Sequence, residues 1–262
     1  MPAPNTGSHL PDFLKKLLHR GINSLGYQIV KKARRNEVRL PLLAARDLLQ
    51  EVRPRPVMFD VGANAGQTTK SMRELFPASL IHAFEPGTRA FGLLKASLSD
   101  MPDVHLHQKA LGAAPGSITL NENEESTMSS VLPLGESGWG RIQEVREVEM
   151  TTVDEVCRQH DIEHLSILKT DTQGYDLEVM RGAVGMMEAG RLDCVFFELI
   201  FSDLYQGMPR FDKVFSFLLD RDYVLVNVYD MHLKNGVAAW ADVLFVHRRI
   251  LLGKKVTLTS SH

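Results

Sequence analysis

One stretch decides the fold: Val57-Met58-Phe59-Asp60-Val61-Gly62-Ala63-Asn64-Ala65-Gly66. Residues 57–61 have the composition of a buried strand, and the glycines at 62 and 66 allow a tight turn before a helix. The first N–H groups of a helix lack partners within the helix, so such a turn suits a polar ligand. The stretch therefore predicts a strand, a ligand-binding loop and a helix.

The loop departs from the dinucleotide-binding pattern G-x-G-x-x-G. Counted from Gly62, that pattern needs glycine at two positions where this chain has Asn64 and Gln67. Their side chains would keep a pyrophosphate from approaching the backbone. We therefore expect S-adenosylmethionine (SAM), which carries an amino acid in place of the diphosphate. An NAD-dependent oxidoreductase is the alternative.

The second predicted strand ends in a carboxylate, within His82-Ala83-Phe84-Glu85-Pro86. Acidic residues at this place in nucleotide-binding folds accept hydrogen bonds from ribose hydroxyls, and we assign that role to Glu85. The third predicted strand ends near Lys109, and its end is expected to lie beside the adenine. The predicted cofactor site comprises Asp60, Gly62, Ala63, Asn64, Gly66, Phe84, Glu85, Lys109 and Ala110.

Strands and helices alternate along the chain. The predicted strands are 57–61, 80–84, 104–110, 117–120, 145–151, 165–169, 194–199, 223–228 and 243–246, and the predicted helices are 66–76, 88–98, 153–160, 177–183 and 211–219. This alternation predicts an α/β fold with a mostly parallel twisted sheet and helices on both faces. The last two strands have no clear helix between them, which favours an antiparallel hairpin at the sheet edge.

The prolines of Arg53-Pro54-Arg55-Pro56 mark a boundary, because they disfavour continued helix. We expect a helical extension over residues 1–52, the main domain over 53–250 and a tail over 251–262. Lysines and arginines flank the apolar positions of the extension. This pattern predicts a solvated helix that covers one edge of the domain, with a membrane-surface helix as the alternative.

The composition is that of an ordinary globular protein. The 262 residues carry a formal net charge of −2, which disfavours nucleic acid as a partner. Two cysteines, Cys157 and Cys194, do not suggest a disulfide framework and are compatible with a reducing cytoplasm. Because the chain has no long apolar run and its start lacks the pattern of a leader, we expect neither a transmembrane segment nor a signal peptide. We therefore expect a cytoplasmic protein, and the sequence allows a homo-oligomer.

Three stretches resemble the FkbM family of SAM-dependent methyltransferases. They are Phe59-Asp60-Val61-Gly62-Ala63-Asn64-Ala65-Gly66, Ala83-Phe84-Glu85-Pro86 and Leu168-Lys169-Thr170-Asp171-Thr172-Gln173-Gly174-Tyr175-Asp176-Leu177-Glu178-Val179-Met180-Arg181-Gly182-Ala183. The third follows the family's K-x-D-x-x-G-x-E-x-x-x-L-x-G-A pattern, with Asp176 in place of the usual glutamate. The resemblance implies a Rossmann-like methyltransferase fold and O-methylation of a hydroxyl on a sugar, glycan or natural product. By position, it implies that Asp60, Gly62, Asn64 and Gly66 form the amino-acid end of the SAM site.

Two acids are expected where the acceptor binds. Ligands of α/β folds bind beyond the carboxyl ends of the strands, where Asp171 follows one strand and Glu198 lies in the next. Methyl transfer requires that the acceptor oxygen be held in line with the methyl group and lose its proton. We predict Asp171 and Glu198 as catalytic residues, with Asp171 as the base or the acceptor anchor. For Glu198, a buried ion pair is the alternative.

The same two carboxylates, Asp171 and Glu198, could bind Mg²⁺. The sequence has no compact metal-ligand motif, so no residue is assigned to a metal. His82 is expected in the core and His232 in a surface loop. Residues 121–140 are the expected lid, since their hydroxyls and Trp139 suit a glycan and their glycines permit closure. A non-catalytic SAM-binding scaffold is the alternative to an enzyme with a small-molecule or glycan acceptor.

Overall fold

A seven-stranded sheet forms the centre of the computed structural model, which describes residues 39–252. Its strands and those of a smaller sheet are β1 (Val57–Val61), β2 (Leu80–Phe84), β3 (Val104–His107), β4 (Ala110–Leu111), β5 (Gly116–Asn123), β6 (Ile142–Thr151), β7 (Leu165–Thr170), β8 (Leu192–Ile200), β9 (Tyr223–Lys234) and β10 (Val237–His247). The helices are α1 (Arg39–Leu49), α2 (Gln67–Leu75), α3 (Thr88–Leu98), α4 (Val153–Gln159), α5 (Asp176–Arg181), α6 (Val184–Glu188), α7 (Phe211–Leu219) and α8 (Arg248–Leu252).

The strand order of the large sheet is β3-β2-β1-β7-β8-β10-β9. Neighbours from β3 to β8 pair in parallel, and β10 runs antiparallel between β8 and β9. The chain builds one half of the sheet outward from β1 and the other outward from β7. This reversal leaves a crevice at the carboxyl ends of β1 and β7. The predicted α/β, Rossmann-like fold with its C-terminal hairpin is confirmed, although the outermost strand is β9 and not the last one.

Alternate residues of the strands face two layers of helices, as the pleat of a sheet requires. Phe59 and Leu168 pack against the layer formed by α4 to α7. Met58 and Ile167 pack on the opposite face with α1 and α2. Burial of each such side chain contributes about 1.5–3 kcal/mol. No helix within residues 39–252 combines the length and the hydropathy needed to span a bilayer.

Helix α1 is part of this core. Leu42, Ala45 and Leu49 recur at helical spacing, and all three are fully buried. The domain therefore begins before residue 53, and the predicted boundary at residue 52 does not separate α1 from it. The rest of the predicted extension, before residue 39, and the predicted tail after residue 252 lie outside the described residues.

A buried acid connects segments near both ends of the described chain. Asp193, at the start of β8, is fully buried and accepts hydrogen bonds from Arg53 Nε at 2.8 Å and Arg249 Nη2 at 2.7 Å. His164 Nε2 lies 2.9 Å from the same carboxylate. Arg53 precedes β1 and Arg249 lies in α8. Because a buried charge is stable only when it is paired, this cluster closes the end of the sheet opposite the crevice.

A second, three-stranded sheet was not predicted. Its order is β4-β6-β5, with β4 parallel to β6 and β5 antiparallel to it. The single strand predicted over 104–110 is in fact β3 and β4, which belong to different sheets. The predicted loop over 121–140 begins within β5, and it contains a 3-10 turn at Ser126–Met128.

The C-terminal hairpin is longer than predicted. Strands β9 and β10 continue to a two-residue turn, Asn235-Gly236, in which both residues have positive φ (53° and 81°). This is the geometry that Asn-Gly favours in a tight hairpin. His232, predicted in a loop, therefore lies in β9, and its ring stacks on Trp240 with centroids 5.0 Å apart.

Candidate active site

A cleft opens at the crevice beyond β1, β2 and β7. The space between its walls, counting the solvent at its mouth, is about 700 Å³. One wall is apolar and includes Pro86, Ala110 and Leu111. The other walls carry hydroxyl, amide and carboxylate groups. The cleft can therefore hold a ligand that has both an apolar ring and a polar end.

Glu85 is held at one wall of the cleft by two backbone donors. Its Oε2 accepts from the Asn64 N–H at 3.0 Å and its Oε1 from the Gly87 N–H at 2.8 Å. Burial raises the pKa of Glu85 to about 7, although these two hydrogen bonds and the charge of Lys169 oppose the shift. Each carboxylate oxygen can accept a further hydrogen bond. Glu85 is thus positioned to accept from a pair of hydroxyls.

The loop after β1 requires glycine at position 62. Gly62 has a φ of +74°, and a Cβ there would lie 2.0 Å from the Asp171 carbonyl oxygen. The N–H groups of Gly62 and Ala63 both donate to the Phe84 carbonyl at 3.0 Å. These amides are therefore engaged with β2 and are not the anion donors that a ligand at a helix start would need.

Asp60 lies beneath this loop and not in the cleft. It is fully buried, with Oδ1 2.9 Å from Lys169 Nζ and Oδ2 accepting a 2.6 Å hydrogen bond from the Thr69 hydroxyl. Lys169 Nζ also donates to the Gly62 carbonyl at 3.2 Å. Burial lowers the pKa of Lys169, but the charges of Asp60 and Asp171 outweigh it and raise the pKa above its ordinary value. Asp60 therefore supports the loop through Lys169.

Gln173 joins the two acids that were predicted as catalytic. Its Nε2 donates to Asp171 Oδ1 at 2.7 Å and to Glu198 Oε2 at 3.2 Å, and its Oε1 accepts from the Tyr205 hydroxyl at 2.8 Å. Its φ of +54° is uncommon for a residue other than glycine, and such strain concentrates at functional sites. The amide is thereby fixed between the acid that lines the cleft and the acid behind it.

Glu198 contacts the cleft only through Gln173. It is half-buried and lines a smaller pocket behind that side chain. Burial raises the pKa of Glu198 well above its ordinary value, and the charges of Asp171 and Asp242 add to the rise. A raised pKa is the expected response of a carboxyl that lies beside another acid in a poorly solvated place.

Residues 126–131 form the roof of the cleft. The Asn64 side-chain amide donates to the Ser126 hydroxyl at 3.2 Å, and the Ser130 hydroxyl donates to the Gln173 carbonyl at 2.8 Å. These two contacts attach the roof to the loops after β1 and β7. The roof lies within the predicted lid, and its opening stays a prediction.

The structure brings six of the predicted site residues together at the cleft: Gly62, Asn64, Glu85, Lys109, Ala110 and Asp171. Four others are buried behind the cleft: Asp60, Ala63, Gly66 and Phe84. Phe84 contributes its backbone carbonyl to the loop, and Gly66 has a φ of +87° at the start of α2. These four hold the loop in shape and do not face the cleft.

Two residues of the site were not predicted, Lys169 and Gln173. A lysine at the end of an apolar strand is a signal of a buried ion pair. Gln173 lies directly before Gly174 and two residues after Asp171, where a strand ends, and this order is a signal of a tight turn. Neither signal identifies the partner, because Asp60 and Glu198 belong to other strands.

Curated relatives were found at low identity. The chain is 23% identical over 186 residues to the 2-O-methyltransferase NoeI of Sinorhizobium fredii, covering 63% of this chain and 76% of that protein. It is 26% identical over 156 residues to Methyltransferase 1 of Beauveria bassiana, covering 52% of this chain and 63% of that protein. The chain thus spans less than two thirds of the second relative.

Solved structures of methyltransferases are similar at still lower identity. Aeropyrum pernix fibrillarin with bound SAM is 16% identical, with a TM-score of 0.45, covering 80% of this chain and 76% of that one. The kinase-methyltransferase WbdD is 14% identical, with a TM-score of 0.49, covering 81% of this chain and 39% of that one.

The family is established by a match to a family model. The model described as the methyltransferase FkbM domain matches residues 60–225, which is more than half of the chain. The matched residues run from Asp60 in β1 to Leu225 near the start of β9, and they include Glu85, Lys169 and Asp171. The chain therefore belongs to the FkbM family of SAM-dependent methyltransferases, as its sequence predicted.

Proposed function

We propose that this methyltransferase binds SAM in the cleft and transfers the methyl group to a hydroxyl oxygen of a sugar, a glycan or a related natural product. One observation carries the proposal: two backbone N–H groups hold the Glu85 carboxylate at one wall of the cleft, and Asp171 lines the same cleft. A donor anchored by its ribose at Glu85 can direct its reactive end toward Asp171. The relative NoeI is a 2-O-methyltransferase, which supports oxygen as the acceptor atom.

The residues of the cleft fit SAM. Glu85 would accept from the two ribose hydroxyls, and the apolar wall of Pro86, Ala110 and Leu111 would contact the adenine. Lys109 lines the same region, and its Nζ donates to Glu149 at 2.6 Å, so it closes the wall at the edge of the cleft. When bound, SAM supplies an electrophilic methyl group on a sulfonium.

We propose that the Asp171 carboxylate accepts the proton of the acceptor hydroxyl as a general base. Bound SAM would supply the methyl group for a new carbon–oxygen bond and would keep the electrons of its carbon–sulfur bond on sulfur. The hydroxyl proton passes to the Asp171 carboxylate, which Gln173 orients through Oδ1. General-base assistance of this kind contributes about 10²- to 10⁴-fold. Glu198, being behind Gln173, would position that amide and not touch the acceptor.

Mg²⁺ is not needed in this proposal. The amide of Gln173 already donates to both Asp171 and Glu198, so an ion shared by these two carboxylates would have to displace it. We expect added Mg²⁺ to leave the rate of methyl transfer unchanged. We further propose that the reaction takes place in the cytoplasm, where the buried thiols of Cys157 and Cys194 would stay reduced.

A screen with labelled SAM tests the function. Sugars, glycolipids and small alcohols would be offered to the wild-type protein and to the Asp171→Asn and Glu85→Gln variants. We expect label in one hydroxyl acceptor, lost in Asp171→Asn although SAM binding by calorimetry persists. Glu85→Gln should instead weaken SAM binding. Full turnover by Asp171→Asn would contradict its role, and binding of NAD in place of SAM would contradict the cofactor.

A further inference from the structure

A cluster of imidazoles lies on the face of the large sheet opposite α1 to α3, at the β2–β3 edge. His82 in β2 pairs in register with His105 in β3, and His107 lies two residues further along the same face. His160 follows the last residue of α4 and meets the rings of His82 and His107 nearly at right angles, with centroids 4.8 and 5.5 Å away. The imidazole rings of four histidines that are far apart in sequence therefore lie next to one another.

Three of these rings are close enough to share a ligand. One ring nitrogen from each of His82, His107 and His160 lies within 4.8 Å of the other two. His82 Nδ1 and His107 Nε2 are 3.0 Å apart. Nitrogens that bind one zinc ion at about 2.0–2.1 Å are roughly 3.3 Å from each other. The pair already has this spacing, and a modest rotation of His160 at the exposed end of its helix would complete it.

The buried member of the cluster has an unsatisfied nitrogen. His82 is 1% exposed, and its Nε2 has no hydrogen-bond partner among the described residues. A neutral imidazole carries one donor and one acceptor, so the His82–His107 contact satisfies only one of them in either tautomer. A packing role alone would be better served by an apolar ring, because an orphaned polar group in a core is unfavourable. The ion proposed below would bind Nδ1, the atom that faces His107, and not this nitrogen.

We propose that His82, His107 and His160 bind one divalent transition-metal ion of the zinc type, with the remaining coordination position open to water. Imidazole nitrogens select zinc, nickel, cobalt or copper over Mg²⁺ and Ca²⁺, which prefer oxygen. His160 is exposed and His107 half-buried, so the ion has an entry path from solvent. The site is separate from the cleft, and the proposal does not depend on the acceptor or on methyl transfer.

The metal would brace the strands that carry the cofactor wall. The Glu85 N–H donates to the His107 carbonyl at 3.0 Å, so the residue after β2 is attached directly to one proposed ligand. An ion that links β2, β3 and the end of α4 would therefore fix the backbone beside Glu85. Its role is structural, since none of the three imidazoles lines the cleft.

Zinc binding by the full chain, without an affinity tag and stripped with a chelator, tests the proposal. Calorimetry with Zn²⁺ should give one site per chain, and Co²⁺ should give the intense visible absorption of a four-coordinate nitrogen site. His160→Ala, which removes an exposed ring, should reduce the Zn²⁺ affinity at least about 10-fold while leaving the circular dichroism spectrum intact. His107→Asn should do the same. His232→Ala, which removes a stacked histidine from β9, is the matched control and should bind Zn²⁺ like the wild type.

Two outcomes would overturn the proposal. One is the absence of saturable Zn²⁺ and Co²⁺ binding in the wild-type chain. The other is an affinity in the folded His160→Ala and His107→Asn variants equal to that of His232→Ala, which would show that any bound zinc is held elsewhere. Because methyl transfer is not a readout, failure of the proposed function leaves this test unaffected.

Discussion

The side-chain amide of Gln173 donates a 2.7 Å hydrogen bond to Asp171 Oδ1, and it does so from a backbone conformation with φ at +54°. The strain is maintained because the same side chain is also bonded to Glu198 and Tyr205. Such over-determined contacts keep a functional side chain in one orientation. The proposed proton acceptor is therefore oriented before any acceptor molecule binds.

Replacing Gln173 with glycine should slow methyl transfer without preventing SAM binding. The variant relieves the backbone strain but removes the donor to Asp171, and a hydrogen bond to a charged group contributes about 1.5–3 kcal/mol. We expect kcat to fall roughly 10- to 100-fold. Tyr205→Phe removes only the hydrogen bond to Gln173 Oε1, so its kcat should fall by a smaller factor. An unchanged kcat in Gln173→Gly would show that Asp171 needs no such orientation.

The affinity for SAM should depend on pH through Glu85. The pKa of this carboxyl is raised to about 7, so it is protonated below that pH and ionised above it. Ribose hydroxyls donate best to the ionised form, and the affinity should therefore decline as the pH falls below about 7, toward tenfold per unit. Calorimetry from pH 5.5 to 8.5 measures this. The Glu85→Gln variant is the control: it should bind weakly with a flatter profile, and an equally steep profile would assign the titration to another group.

Gly62→Ala should damage the site, whereas Gly92→Ala should not. A methyl at position 62 would meet the Asp171 carbonyl and would require a positive φ that alanine disfavours. We expect lower thermal stability and no detectable SAM binding. Gly92 lies in α3, and a Cβ there meets nothing within 4 Å, so alanine should stabilise the helix by about 0.5–1 kcal/mol. Thermal melts and calorimetry of both variants compare the two sites, and normal SAM binding by Gly62→Ala would be inconsistent with the tight loop.

Asp193→Ala should destabilise the domain strongly. Its removal leaves Arg53 and Arg249 without their buried partner, a change that costs about 3–5 kcal/mol when the pair is fully buried. Because both arginines are partly exposed, we expect the lower end of this range. Urea unfolding measures the loss. Asp212→Ala, which breaks an exposed pair with Arg210, should change the free energy of unfolding by less than about 1 kcal/mol. Similar losses in the two variants would contradict a structural role for the buried acid.

The sequence predicts those parts of the fold that depend on local periodicity. Strand β1, the glycine turn and helix α2 follow from one short stretch, and the carboxylate of Glu85 follows from the end of the next strand. The small sheet could not be predicted, because the strands predicted over 117–120 and 145–151 carry no local signal of their partners, and β4 pairs with β6 across about forty residues. The hairpin was predicted only in part: the predicted strands 223–228 and 243–246 stop short of Asn235-Gly236, although this dipeptide is typical of a tight two-residue turn.

The candidate site likewise has residues that the sequence predicts and contacts that it does not. Asp171 is predictable because it ends a strand, but the bridge that Gln173 makes to Glu198 depends on two neighbouring strands being in register. Asp60 looks like a ligand from its position after an apolar run. Its actual partner, Lys169, lies in β7, and only the parallel pairing of β1 with β7 places the two side chains together. Polar groups at strand ends can be identified from sequence, but not which of them neutralise one another.

The position of β10 has a consequence for biosynthesis. This strand fills the gap between β8 and β9, yet it follows both of them in the chain. Until the ribosome has released residue 247 and some residues beyond it, a nascent chain holds two strands whose facing edges have no partner. Unpaired edges of this kind recruit other chains. Stalled or prematurely terminated products should therefore aggregate or engage chaperones, although they already contain every residue that lines the cofactor cleft.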